Sequence, residues 1–157
     1  MSDLTDSALC IFTEVGVNAP PAGAQPRAVA LPFAARQKAR QRITLPCGTP
    51  VGLKLPRGTL LRGGTLLTNA AGDWLRIDAA PEPCSLVCNA DSQALARTAY
   101  HLGNRHVPVQ VGADWLRYGH DRVLDEMVRG LGQTVQREQA PFEPEGGAYG
   151  GGHAHAH

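Results

Sequence analysis

The sequence predicts an α+β protein rich in sheet, with a small all-β unit in its first half and two helices confined to its second. Three observations carry this. Short apolar runs recur between residues 51 and 77, punctuated by Gly and Pro. Helical spacing appears only after residue 90, first in Leu95, Ala99 and Leu102, then in Leu124, Met127, Val128 and Leu131. Eighteen Gly and twelve Pro demand many turns.

Residues 1 to about 30 are poor in pattern. A short strand is expected near residues 11–13, before a surface loop rich in Pro and Ala at residues 19–26. From Arg36 to Leu45 the chain alternates, and a strand there would set Arg36, Lys38, Arg40 and Arg42 on one face. That stripe reads either as a contact for an acidic partner or as an ordinary solvated face. Strands follow at residues 51–55, 59–61, 65–67 and 74–77, with turn residues between them, as in a small sandwich or barrel. The pair Gly63 and Gly64 is no phosphate loop, because no helical pattern follows it.

At residues 79–83 the pattern breaks. A strand at residues 86–88 leads to a helix capped by Asn89 or Asp91 and ended near Leu102 by Gly103. Val107, Val109 and Val111 then alternate with Pro108 and Gln110 in an edge strand, paired in a hairpin with residues 115–118. Asp121 caps a second helix that Gly132 ends, and residues 133–139 form a last strand. Strand, helix, strand, strand, helix, strand is the split, ferredoxin-like βαββαβ order. The expected organisation is therefore an all-β domain at 1–80, a ferredoxin-like domain at 81–143 and a flexible Gly/His tail at 144–157.

Composition narrows the function. Hydrophobic residues at 43% suffice for a core, and aromatics at 5% make it aliphatic. A formal net charge of +1 supplies no electrostatic reason to expect nucleic acid or a membrane surface. No apolar run approaches the roughly 20 residues of a spanning helix. The acidic N-terminus lacks a signal-peptide layout, so a cytoplasmic protein is expected. Its four cysteines are then reduced thiols, either buried as small hydrophobes or, for Cys84 and Cys88, half of a thiolate site.

The histidines are the candidate chemistry, and none precedes residue 101. His153, His155 and His157 project to one side of an extended segment, where an arm can wrap a divalent ion; the alternative is a cloning remnant. His106 lies where a helix gives way to a strand, a place for a ligand or for an ordinary surface histidine. His101 near a helix C-terminus needs no metal to explain it. His120 precedes the cap of the second helix, while Asp121, Asp125 and Glu126 read as cap and first-turn residues. Metal-hydrolase, nucleophile-elbow and Walker motifs are absent from the sequence. Three histidines on an arm suit capture and release of an ion better than catalysis.

Several segments, in order, resemble one family. Tyr100-His101-Leu102-Gly103-Asn104-Arg105-His106-Val107-Pro108 is similar to the signature of the UreE urease accessory proteins, nickel metallochaperones. Leu55-Pro56-Arg57-Gly58 with Leu61-Arg62-Gly63-Gly64 resembles the family's N-terminal motif. Leu116-Arg117-Tyr118, Asp121-Arg122-Val123-Leu124-Asp125 and Pro141-Phe142-Glu143-Pro144-Glu145 are similar as well, and the match runs from about Leu31 to the end.

The resemblance implies a β-rich domain that contacts protein partners and a ferredoxin-like domain that binds metal and dimerises. It places the essential ligand on His106, at the interface of a homodimer, and auxiliary ligands on His153, His155 and His157. A second internal site through His120 is weakened by Gly119 and Arg122, where relatives carry further histidines. The implied cargo is Ni(II), with Zn(II) or Cu(II) as alternatives in vitro, since imidazole accepts all three. The implied partners are the urease apoprotein and its accessory proteins, including the accessory GTPase. The protein would be a carrier rather than an enzyme. The competing expectation is a peptide-binding adaptor of the urease assembly whose histidines are incidental.

Overall fold

The computed structural model describes residues 9–147. The chain divides between Ala80 and Pro81 into two compact units. Unit 1 is built from β1 (Cys10–Phe12), β2 (Glu14–Val15), β3 (Arg27–Leu31), α1 (Phe33–Arg36), β4 (Arg40–Thr44), β5 (Pro50–Lys54), β6 (Thr65–Thr68) and β7 (Trp74–Ala79). These strands make two sheets, in the orders β1-β5-β4 and β2-β6-β7-β3. Pairs β1/β5 and β3/β7 are parallel and the rest antiparallel. Phe12, Val51 and Leu53 of one sheet share an aliphatic core with Leu67, Leu75 and Ile77 of the other.

The expected basic strand from Arg36 is corrected. Arg36 ends the one-turn helix α1 and is 0% exposed. Its Nε donates to the Leu31 carbonyl at 3.0 Å and its Nη1 to the Leu61 carbonyl at 3.1 Å. A planar guanidinium can satisfy two divergent carbonyls, which is how so polar a group is tolerated inside. Residues 59–61 are not a strand either. Leu61 is buried in a loop whose backbone N–H donates to the Arg36 carbonyl at 3.0 Å. Arg36 and Leu61 thus stitch α1 to that loop in both directions. Strand β3 begins within the pattern-poor stretch of residues 1 to about 30.

Unit 2 runs β8 (Pro81–Cys88), α2 (Ser92–Asn104), β9 (Val109–Val111), β10 (Trp115–Gly119), α3 (Arg122–Gly130) and β11 (Gln136–Pro141). The four strands form one antiparallel sheet, ordered β11-β8-β10-β9. Val87, Leu116 and Tyr118 from one face of this sheet pack with Leu95 and Leu102 of α2 and Val128 of α3. Asp91 and Asp121 cap the helices, each accepting two backbone N–H groups. Asp91, rather than Asn89, is therefore the cap of α2.

Strand β8 is longer than the apolar pattern suggests, because Pro81 and Pro83 lie within it. The ladder to β10 reaches only Cys84, paired with Gly119. The Pro83 carbonyl accepts the His120 N–H at 3.1 Å, the last bond between β8 and the end of β10. The missing N–H of Pro83 leaves that end of the ladder with one bond instead of two, a loss tolerated at a strand terminus. Gln133 is not in a strand: its amide bridges Asn89 and the Ala94 carbonyl at 3.0 and 3.2 Å.

The segment expected to be mobile from residue 144 is held over its first two residues. After β11 the chain crosses from one edge of the sheet to the other. Arg117 donates to the Pro141 carbonyl at 3.3 Å, the Gln110 side chain accepts the Glu143 N–H at 3.0 Å, and the Val109 carbonyl accepts the Glu145 N–H at 2.8 Å. Phe142 is 3% exposed, and Pro144 is buried. These two apolar side chains offset the ordering entropy that composition alone suggested would win.

Candidate metal centre

His106 is placed by the end of α2. Gly103 lies within the helix, and its φ is not positive. The left-handed residue is His106 itself, at φ 57°, with Arg105 as the C-cap. The His106 N–H donates to the Gly103 carbonyl at 2.9 Å and the Val107 N–H to the Leu102 carbonyl at 3.2 Å. This is the Schellman arrangement, and Val107 and Leu102 share the core as its usual apolar contact.

Helix α3 ends in the same way. Leu131 is its C-cap, and Gly132 at φ 86° donates to the Arg129 carbonyl. Every other positive φ among the described residues belongs to glycine. One helix thus uses Gly and the other His in the same motif, although a left-handed side-chain-bearing residue costs on the order of 1 kcal/mol. Such a residue is a candidate for function. Its imidazole is exposed and makes no hydrogen bond among the described residues.

His120 has the opposite environment. Its Nδ1 lies 3.2 Å from Asp125 Oδ2 and 3.1 Å from Ser85 Oγ. Ser85 Oγ donates to Asp125 Oδ1 at 2.6 Å, as does Tyr118 OH at 2.8 Å. With the Ser85 proton committed to Asp125, the third contact needs His120 Nδ1 to carry the proton, leaving its lone pair on Nε2. Orientation of an imidazole by a carboxylate is the outer support that metal-binding histidines commonly have. Burial first, and then its bond to Asp125, push the Tyr118 hydroxyl well above its ordinary value of 10. Asp125 is thus more than a first-turn residue. It is a 2% exposed acceptor joining β8, β10 and α3.

The remaining candidates do not converge. His101 lies edge-on to Tyr100, with ring centroids 5.4 Å apart. Cys84 is buried, its thiol raised mainly by that burial, and Cys88 is exposed four residues along the same strand. Four strand residues span about 13 Å, too far for two thiolates on one ion. His153, His155 and His157 lie outside the described residues. Among the described residues, no three His, Cys, Asp or Glu side chains gather to hold a metal. The hydrogen-bonded crossing after β11 does bring Glu145 to Val109, three residues beyond His106, and His153 follows eight residues later. Neither the left-handed turn nor this crossing was read from the sequence. A Gly three places before His106 masked the first, and short-range composition masked the second.

Comparison with known proteins identifies the family. Residues 12–80 match the N-terminal domain of the UreE urease accessory protein, and residues 82–157 match its C-terminal domain. The chain belongs to the UreE urease accessory protein family. It is 55% identical over 144 residues to the urease accessory protein UreE of Alkalilimnicola ehrlichii, covering 81% of this chain and 88% of that protein. It is 59% identical over 122 residues to UreE of Pseudomonas putida, covering 77% and 73%. UreE of Alcanivorax borkumensis is 53% identical over 135 residues, covering 82% and 77%. The two UreE domain matches meet where the two compact units part. No helix among the described residues is long and apolar enough to cross a membrane.

Proposed function

We propose that this chain is a cytoplasmic homodimeric carrier of Ni(II) in urease maturation, without catalytic activity of its own. The observation that carries the reading is His106: an exposed imidazole held at a left-handed position whose counterpart in α3 is glycine. One imidazole is too few for a stable site, so a second copy presenting its own His106 is the natural completion. His153, His155 and His157 then complete or release the coordination. Glu145, tied to β9, starts this tail near His106, and a contour of about 3.3–3.6 Å per residue lets eight residues reach it. His120 is the auxiliary candidate.

We read unit 2 as a ferredoxin-like metal-binding and dimerisation domain, supported by its βαββαβ order and its sheet order β11-β8-β10-β9. Unit 1 is read as the domain that contacts the urease apoprotein and its accessory proteins, including the GTPase. Imidazole also binds Zn(II) and Cu(II), so selectivity for nickel comes from these contacts rather than from the ligands.

Calorimetric nickel titration with sedimentation tests the reading on three chains: the full chain, His106→Ala, and a truncation after Gly152. About one tight ion per dimer is expected, lost with His106→Ala and weakened by truncation. Tight binding that survives His106→Ala and disappears on truncation would move the site to the tail. Binding to the urease assembly that survives both metal removal and His106→Ala would favour the adaptor instead.

A further inference from the structure

The near-zero net charge conceals a segregation. Residues 9–80 carry nine Lys and Arg against three Asp and Glu, whereas residues 81–147 carry six against nine. Two of the three carboxylates in unit 1 are engaged: Asp78 pairs with Arg76 at 2.9 Å, and Asp73 accepts from Asn69 at 3.0 Å. Four of the nine cations share one surface. Arg40 stands directly opposite Lys54 in the β4/β5 ladder, and Arg42 is two residues further along the same face. Arg57, after β5, lines with Ala39 and Arg40 a depression of about 260 Å³. All four cations are exposed, and none has a carboxylate partner among the described residues.

Like charges directly across a ladder oppose folding. Charge on an edge strand can be explained as a guard against strand pairing, and β4 is an edge. Lys54 escapes that explanation, because β5 is the middle strand of its sheet. The same face also has an apolar spot. A Cβ on Gly52 would lie 3.3 Å from Ile11 Cγ1, so the 42% exposed Ile11 side chain lies over this glycine, one rung from Arg42. An apolar spot rimmed by cations is the anatomy of a protein contact. Nucleic acid would call for a ring on which bases can stack, and the one aromatic of β1, β4 and β5 is Phe12, 0% exposed in the core.

We propose that the outer face of the β1-β5-β4 sheet, with Arg40, Arg42, Lys54 and Arg57 around Ile11, docks an acidic segment of a protein partner. This rests on the reading of unit 1 as the partner-contacting domain and names its surface and the partner's chemistry. Lys54→Glu is the informative variant. It turns a repulsive cross-strand pair into an attractive one with Arg40, so stability holds or rises while docking weakens.

Fluorescence anisotropy of the full chain with a short Glu-rich peptide carrying one Leu reads the surface directly. Binding that falls with salt, weakens roughly tenfold in Lys54→Glu and is unchanged in an Arg97→Glu, Arg129→Glu control is the expected result. The midpoint of thermal unfolding of Lys54→Glu should not drop. Absence of peptide binding, equal weakening in the control, or tighter binding of a single-stranded oligonucleotide would overturn the proposal. Capture of the urease apoprotein assembly separates the two layers. Equal capture by the wild type and Lys54→Glu sinks the surface and leaves the partner reading intact. Failure of the wild type to capture it sinks the partner reading, and the peptide result still decides the surface.

Discussion

The Val107 N–H donates to the Leu102 carbonyl at 3.2 Å, closing the chain beneath His106. With both residues in the core, the backbone on either side of the imidazole is fixed by burial. The side chain is thereby aimed outward by the fold, independently of anything it binds.

This separates stability from the proposed metal capture at one position. His106→Gly relieves the left-handed conformation but enlarges the freedom of the unfolded chain, so stability should change by less than about 1 kcal/mol. His106→Val, β-branched at positive φ, should cost about 1–2 kcal/mol. Urea unfolding distinguishes them, and nickel titration should show tight binding lost in both. The glycine variant is the cleaner probe of ligation.

Asp125 accepts from Ser85 and Tyr118 inside unit 2. Removing it by Asp125→Ala takes the acceptor from the buried Tyr118 hydroxyl, leaves Ser85 only its contact with His120, and should cost on the order of 3 kcal/mol. A double-mutant cycle with Tyr118→Phe should show strong coupling; additive effects in urea unfolding would refute a shared network.

The raised Tyr118 hydroxyl predicts an alkaline limit. A tyrosine is neutral when protonated, and the folded state holds that proton longer than the unfolded state. Its contribution is present in full below the ordinary value of 10 and is lost as pH climbs above it. Unfolding midpoints measured from pH 9 upward should fall more steeply for the wild type than for Tyr118→Phe. Parallel slopes would refute the assignment.

The Gln110 side chain accepts from both Arg117 and the Glu143 N–H. Gln110→Leu should cost about 1–2 kcal/mol and speed hydrogen exchange at Glu143 and Glu145 more than in β11. If the tail assists His106, its contribution to nickel affinity should fall about twofold, because the free tether lengthens. Unchanged exchange at Glu145 would mean that Phe142 and Pro144 hold the segment alone.

Much of unit 2 was legible because its elements carry local signals: Asp caps, helical apolar spacing and Gly132. The order of its six elements follows from those signals. What was misread depended on distant partners. Arg36 passes for a surface cation until Leu31 and Leu61 supply two carbonyls for it. Pro81 and Pro83 argue against a strand until β11 pairs along both of them. Gly103 is a reasonable helix terminator, but the apolar pair Leu102 and Val107 fixes the terminus at His106. The candidate metal centre was legible only as a set of histidines. The geometry that distinguishes His106 from His101 is a single backbone angle, and the chain gives no local sign of it.

The crossing after β11 also has a mechanical meaning. A pull on the chain beyond Glu145 meets the Glu145–Val109 bond first, then the buried Pro144 and Phe142, before any load reaches the rungs of β11. The segment therefore takes up strain ahead of the sheet. A load applied beyond Glu145 is thus spent on one hydrogen bond and two buried side chains before it can unzip β11, the edge strand from which the segment emerges.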